Sequence, residues 1–387
     1  MRYELLFPPL IRFGWGCVNE FPDVLRHACG RRAATRVYLV CTRSFAESAS
    51  YGRLEGMCPG GRLAGWTVGV PHDPALATVD EIIGGAREAR ADVVVAVGGG
   101  SAIDAAKAAA ALIPVPEATV TPYFTGEKTI LSPGLPFIAV PTTAGTGAEI
   151  TRNAVLTDPA APAKKSLRSP FMVPAAALVD PELTMTLSPE LTAYSGLDAL
   201  TQAVEAYLST GANAVSSALA LDAVRRLVDN LPRAFAAGTD REARTAVAEG
   251  SLLSGMAFSQ SGLGAVHGLA HPIGALLGLP HGFTCAVLLP HVLAFNAPVC
   301  EDRLERLARA LGLDEAGQFI ERIGALCKAL GVPGDFRDCG LAACHVPHIL
   351  ANCRSGSMKT NPRPMSDREV ACLLAELGGF PDGGTLA

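Results

Sequence analysis

The chain has 387 residues, of which 49% are apolar and 18% charged, and a formal net charge of −5. That length exceeds what one hydrophobic core usually organises, and the composition excludes a disordered chain, so two packed domains are expected. The mild charge and the absence of a long Lys/Arg block leave no phosphate-backbone footprint, so nucleic acid is not an expected partner.

The N-terminus, MRYELLFPPLIRFGWG, lacks a basic stretch leading into an apolar core and a small-residue cleavage site. Elsewhere the apolar stretches read as interrupted by Gly, Pro or charge before the roughly 18 residues that span a bilayer, so no membrane association is expected. The 11 cysteines include no CxxC pair and read as reduced, mostly buried thiols. A cytoplasmic protein is the expectation.

From about residue 34 to 180, short β-branched runs alternate with Ala-rich helical stretches. Arg36–Cys41, Gly65–Val70, Asp92–Val97 and Phe137–Pro141 are predicted strands, with two more near Val155 and Leu178. Their continuous apolar runs predict a mostly parallel sheet covered on both faces. Val79–Ala91 and Ala102–Leu112 are predicted helices between them, giving a βαβ layout. Beyond Pro181 the strand signals stop. Helices are predicted at Leu187–Leu208, Val215–Leu231, Asp240–Ser259, Val266–Leu277, Arg303–Leu311 and Glu315–Leu330, and at Ser366–Glu376, where Ser366 and Glu369 form a capping-box pattern. The expected boundary lies near residue 185, with an α/β domain at 1–185 and an all-α domain at 186–387.

The run Gly98-Gly99-Gly100-Ser101-Ala102-Ile103-Asp104-Ala105-Ala106-Lys107 follows a predicted strand and opens a helix. Glycines let the backbone turn tightly and approach a ligand, and the helix start offers unpaired N–H groups to a pyrophosphate. The pattern is not GxGxxG, and alone it is as often structural punctuation as a binding turn. A second loop, Pro141-Thr142-Thr143-Ala144-Gly145-Thr146-Gly147-Ala148-Glu149, also follows a strand and carries hydroxyls suited to phosphate or ribose. Two such loops at successive strand ends favour a nucleotide crevice.

In the second half, Asp198 and Gln202 are four apart, as are His267 and His271, and His281 follows in PHG. Residues i and i+4 share a helix face, and an Asp with several His suits Zn²⁺ or Fe²⁺. A lone histidine is more often a hydrogen-bonded core residue, but three of the eight fall within fifteen positions. A rival group, Cys339, Cys344, His345, His348 and Cys353, has spacing that fits no zinc finger or ribbon, and Pro347 interrupts it.

With both loops and the Asp/His set in view, the chain resembles the iron-containing (group III) alcohol dehydrogenase family, whose relatives include glycerol dehydrogenase and dehydroquinate synthase. The resemblance rests on GGGSAIDAAK, PTTAGTGAEITRNAVLTD, GLDAL-x-x-AVEAY and VHGLAHPIG…LPHG, and runs from FGWG to KTNPR. It implies a dehydroquinate synthase-like fold, a homodimer or higher homo-oligomer, and NAD(P)-dependent hydride transfer to or from a small alcohol or aldehyde. Gly99, Gly100 and Ser101 are similar to a pyrophosphate cradle, and Thr142, Thr143 and Thr146 to cofactor-lining residues. Asn153, Val155 and Lys164 resemble positions meeting the nicotinamide half, with Thr42, Asp73 and Asp104 as further cofactor-side positions. Asp198, His267 and His281 match three metal ligands, with His267 and His271 on the catalytic side and His271 at the proton-relay position.

Two departures stand out. Gln202 occupies the place of a fourth ligand histidine, which implies a divalent metal (Fe²⁺ or Zn²⁺) held loosely, or a metal-independent variant. Thr42-Arg43 stands where NAD-preferring members often carry an aspartate, which leaves the choice between NAD and NADP open. The stretch 164–170, with Lys165 and Arg168, resembles the branch of maleylacetate reductases and reductases of small anionic aldehydes of the phosphonoacetaldehyde or sulfoacetaldehyde type. Competing expectations are a cofactor-binding protein with a decayed metal site, and metal-dependent hydrolase or lyase chemistry.

Overall fold

The computed structural model describes residues 3–30, 35–159 and 163–381, without the side chains of Ala163 and Lys164. The chain divides into two compact units, Glu4–Thr186, and Leu187–Ala387 together with Met1–Tyr3.

The first unit is built on β1 (Ile11–Phe13), β2 (Val37–Cys41), β3 (Gly65–Val68), β4 (Val93–Gly98), β5 (Phe137–Pro141), β6 (Asn153–Asp158), β7 (Ala163–Arg168) and β8 (Ala176–Val179). Six of these form one sheet in the order β1-β8-β5-β4-β2-β3, with every pairing parallel. Every residue of β2, β4 and β5 is buried, as their unbroken Val/Ile/Leu runs require. The helices Leu76–Glu88 and Gly100–Leu112 contribute to the core on one face, and the helix Phe21–Cys29 to the core on the other. Each fully buried aliphatic side chain contributes about 1.5–3 kcal/mol. From β2 the chain moves outward to β3, then returns to the far side of β2 as β4 and continues to β5. The strand order therefore reverses between β2 and β4, and the carboxyl ends of such neighbours open the crevice where α/β sheets bind ligands.

Two expectations change here. Strand β3 is an edge whose residues alternate in exposure, with Trp66 57% accessible, so it is not covered on both faces. Strand β6 lies outside the main sheet and pairs antiparallel with β7, Asn153 opposite Arg168 and Val155 opposite Ser166. Local apolar periodicity cannot distinguish a hairpin arm from a sheet strand.

The second unit is helical, with Pro189–Leu208, Ala214–Ala236, Arg241–Ser261, Ala265–Leu277, His281–Ala310, Ala316–Ala329 and Asp367–Gly378 as its main elements. Side chains of Ser188, Asn213, Asp240 and Ser366 cap helix starts, and the Ser366/Glu369 capping box forms as its sequence predicts. The segment expected to be helical only over Arg303–Leu311 is one helix from His281 to Ala310, with Pro290 and Pro298 inside and a kink at Cys300. By length and composition that helix could cross a bilayer, contrary to the expectation that no apolar stretch is long enough; 61% of its apolar window is buried within the protein, as in a core helix.

Candidate functional site

In the α/β unit, β4 ends at Gly98, and Gly99 is the N-cap of the helix Gly100–Leu112 with no side chain capping it. The first-turn N–H groups are thus presented at the carboxyl edge of the sheet, the arrangement that receives a phosphate. The glycines are required by close packing. A Cβ on Gly98 would meet Thr42 Cγ2 at 2.9 Å, one on Gly99 would meet Thr143 Cγ2 at 3.3 Å, and one on Gly100 would meet Thr146 Oγ1 at 2.8 Å. Thr42 donates its amide to Val97 O (3.3 Å), and Thr142 donates its amide to Gly98 O (2.9 Å). Ser101 Oγ accepts from the amide of Asp73 at 3.3 Å, and Asp73 itself sits in the left-handed region with φ 53°. Thr42, Asp73, Gly99, Gly100, Ser101, Thr142, Thr143 and Thr146 therefore converge at the switch point.

Asp104 and Val155, expected to face the cofactor, are engaged with each other. Asp104 is buried, and its Oδ2 accepts the amide of Val155 at 2.9 Å, fastening β6 to the glycine-rich helix. Lys107 completes this junction. Its fully buried ammonium donates to Ala148 O (2.7 Å), Thr151 Oγ1 (3.0 Å) and Asn153 O (2.7 Å), and lies 3.5 Å from Asp104 Oδ1. Burial pushes the Lys107 ammonium below its ordinary range against the pull of Asp104 and Glu149. Asn153 opens β6 at this junction; the Lys164 side chain lies outside the described residues.

In the helical unit, Asp198 and Gln202 lie one turn apart on Pro189–Leu208 and are both buried. His267 lies near the start of Ala265–Leu277, His271 one turn later, and His281 is the first residue of its helix. Asp198 Oδ1 is 3.4 Å from His267 Nε2 and 3.7 Å from His281 Nε2. The His271 and His281 rings stack at 4.9 Å with planes 13° apart. Asp198 Oδ1, Gln202 Oε1 and His267 Nε2 are buried and make no hydrogen bond. Unsatisfied buried atoms of this kind are costly to desolvate, and several around one point fit a divalent cation. Burial disfavours the Asp198 carboxylate, but the charge of His281, the close approach and charge of His267, and the Gln202 amide hold it below the ordinary carboxylate range. Burial likewise disfavours the His267 imidazolium, yet Glu205 and Asp198 outweigh it and raise that group to about 9. A cation bound here would supply the positive charge that the two carboxylates demand.

Three contributors escape the sequence reading. Glu205, seven residues after Asp198, accepts from Val266 N with Oε1 (2.7 Å) and holds His267 Nδ1 with Oε2 (2.6 Å). This is the carboxylate–histidine support expected of a metal-ligating imidazole, and it turns Nε2 toward Asp198. Gly282 lets the helix start carrying His281 approach Pro189–Leu208, since a Cβ there would lie 2.0 Å from Tyr194 O. Cys285, one turn after His281, puts its sulfur 3.6 Å from His281 Nε2, and its ligand atom lies within 4.8 Å of those of Asp198, His267 and His281. The i, i+4 rule would have found Cys285 had the helix been predicted to start at His281. The Cys339–Cys353 group forms no comparable cluster among the described residues.

Residues 8–181 match the iron-containing alcohol dehydrogenase family, and residues 192–378 match the C-terminal part of that family. The chain is 38% identical to long-chain-alcohol dehydrogenase 1 of Geobacillus thermodenitrificans, over 96% of this chain and 95% of the relative. A solved 1,3-propanediol oxidoreductase superposes with a TM-score of 0.90 at 30% identity, covering 97% of this chain and 100% of the other. A sulfoacetaldehyde reductase from Bifidobacterium kashiwanohense, solved in complex with NAD⁺, superposes with a TM-score of 0.92 at 29% identity, covering 98% and 100%. With its glycine cradle and buried Asp/His cluster, the chain belongs to the iron-containing alcohol dehydrogenase family.

Proposed function

We propose that this oxidoreductase, which acts on CH–OH groups as its family does, transfers hydride between NAD(P) and a small alcohol or aldehyde with the help of a divalent metal. The observation that carries this reading is the cluster of three buried atoms without a hydrogen bond, Asp198 Oδ1, Gln202 Oε1 and His267 Nε2, beside His281. When bound, the metal supplies Lewis acidity toward the substrate oxygen, and nicotinamide supplies the hydride acceptor or donor. Asp198, His267 and His281 would hold the metal, and Glu205 fixes the His267 ring. His271, stacked on His281, is placed to carry a proton between the substrate oxygen and solvent. Gly99, Gly100 and Ser101 bind pyrophosphate through backbone N–H groups, Thr142, Thr143 and Thr146 close over them, and Thr42 and Asp73 bound the adenosine side.

An anionic aldehyde is the alternative substrate. Arg152 and Arg168 stand at the root of the β6–β7 hairpin, and among the described residues neither pairs with a carboxylate. Partial desolvation and the neighbouring Arg152 charge disfavour the Arg168 charge although the residue is exposed, and a carboxylate or sulfonate would pair with it there. The 11 free cysteines support a reducing, cytoplasmic setting, and the protein is read as a homo-oligomer. Nicotinamide absorbance, followed with NADH and NADPH against neutral and anionic aldehydes before and after chelation, tests the reaction, the cofactor, the substrate class and the metal. No absorbance change with any aldehyde, with or without Fe²⁺ or Zn²⁺, refutes the assignment.

A further inference from the structure

We infer that Cys285, not Gln202, joins the metal site as a thiolate ligand, giving an Asp198/His267/His281/Cys285 set that favours Zn²⁺ over Fe²⁺ and leaves the substrate oxygen to enter as a fifth ligand; the inference rests on the metal reading above. The geometry of four atoms carries it. In a tetrahedral zinc site, bonds of about 2.0–2.1 Å to N or O and about 2.3 Å to S place neighbouring ligands about 3.3–3.6 Å apart. Three of the six edges are 3.4 Å (Asp198 Oδ1 to His267 Nε2), 3.7 Å (Asp198 Oδ1 to His281 Nε2) and 3.6 Å (Cys285 Sγ to His281 Nε2), at or near that range, and the other three are no longer than 4.8 Å. Three edges thus match a coordination sphere, and small side-chain shifts would bring the remaining ones into range.

The donor set argues the same way. Asp198 and His267 are each only 3% exposed, and the atoms they aim inward, Oδ1 and Nε2, make no hydrogen bond. Gln202 can offer only a neutral amide oxygen, a weak donor to a borderline metal. Cys285 is fully buried and sits one helical turn from His281, so both reach the same centre from one backbone. On binding, the S–H bond breaks, its proton leaves to solvent, and a metal–sulfur bond forms. Two anionic ligands, Asp198 and Cys285, then neutralise a divalent ion. Soft sulfur selects zinc over iron, and the site holds its metal firmly rather than loosely.

The full chain, stripped with chelator and reloaded with Co²⁺ or Zn²⁺, tests this as wild type, Cys285→Ala, Cys285→Ser and Gln202→Ala. The readouts are the near-ultraviolet thiolate-to-cobalt charge-transfer band, sulfur scattering at the zinc absorption edge at about 2.3 Å, and metal affinity, with thermal melting to confirm folding. Wild type and Gln202→Ala should show the band and one sulfur neighbour. Both Cys285 variants should lose the band, with Zn²⁺ affinity falling beyond the roughly 10–100-fold that losing an outer-sphere partner brings. Wild type that binds metal with no sulfur signal, or Cys285→Ala that keeps wild-type affinity, overturns the inference and leaves the metal site standing. Wild type that binds neither ion overturns the inference and the metal reading together.

Discussion

The Glu205 carboxylate spans two partners one residue apart, holding His267 Nδ1 at 2.6 Å with one oxygen and accepting the Val266 amide at 2.7 Å with the other. Gly264 makes this possible, since a Cβ there would come within 2.7 Å of Glu205 Oε1 and 2.9 Å of Asn361 Oδ1. Asn361, from the KTNPR segment, accepts the Ala265 amide at 3.0 Å, so the turn before His267 is held from two sides.

Glu205→Gln is therefore expected to weaken metal binding as well as folding. One amide oxygen cannot serve both His267 and Val266, and leaving the Val266 N–H unpaired costs about 1–3 kcal/mol. Metal affinity should drop by about 10–100-fold, as for other outer-sphere partners of a ligand histidine. Competition with a chromogenic chelator measures this. An unchanged metal affinity would mean that Glu205 only packs the helix.

A cofactor prediction follows from Gly100. Its missing Cβ makes room for the Thr146 side chain, with 2.8 Å to Oγ1 and 2.9 Å to Cγ2, so Gly100→Ala displaces the Thr-rich loop. Overpacking of this kind costs about 1–3 kcal/mol, equivalent to roughly 5- to 150-fold in NAD(P)H affinity when it falls on the bound loop. Thr146→Ala removes the obstructing atoms, so the double variant should bind NAD(P)H more tightly than the two single effects combined predict. Fluorescence titration of all four forms decides it; strict additivity would show that the contact is irrelevant to binding.

These residues also show how far the sequence could be read. Gly98–Gly100 and Pro141–Glu149 stood out in the sequence only together, as two small-residue loops at successive strand ends, since either alone reads equally well as a structural turn. Asp198 and His267 were picked out through i, i+4 pairs with Gln202 and His271, and His281 only by its nearness in sequence to the two histidines. Cys285 and Glu205 were not. Pro290 and Pro298 disguised the helix that joins Cys285 to His281, and Glu205 lies in an apolar helix where only the fold reveals what it faces. Asp104 carried a charge at a cofactor-like position but serves the Val155 amide, a long-range contact that periodicity does not encode.

Stability should depend on pH through Glu149. Burial pushes this carboxyl from 4.5 to about 7; its backbone hydrogen bond and Lys107 only partly offset that, and Asp104 adds to the rise. The folded state therefore holds a proton that the unfolded chain releases at lower pH. The resulting stabilisation is fully present below about 4.5 and is lost as pH rises through about 7. Glu149→Gln keeps the neutral shape and should flatten the melting-temperature profile across that window, gaining up to a few kcal/mol at higher pH. Parallel profiles for wild type and variant would remove Glu149 as the source.

The choice between NADH and NADPH should turn on Thr42. This residue closes β2 at the switch point, next to Gly98, and its hydroxyl caps the short helix Arg43–Ala46 by accepting from Phe45 N at 3.4 Å. With Thr42 neutral and Arg43 next in sequence, a 2′-phosphate meets no negative charge at the end of β2 itself, so NADPH should serve at least as well as NADH. Thr42→Asp tests the position cleanly because aspartate is as good an N-cap as threonine or better, so the helix should persist. The new carboxylate would accept from the adenine ribose hydroxyls of NADH and repel the extra phosphate of NADPH. At about 4 Å that repulsion is worth roughly 1–4 kcal/mol between water-like and protein-surface dielectric, enough to shift the NADPH/NADH ratio of kcat/KM by about fivefold to several hundredfold. Higher salt should shrink the shift, since the site is partly open to solvent. A wild type that strongly prefers NADH, or a ratio unmoved by Thr42→Asp, would place the adenosine pocket elsewhere along the sheet edge.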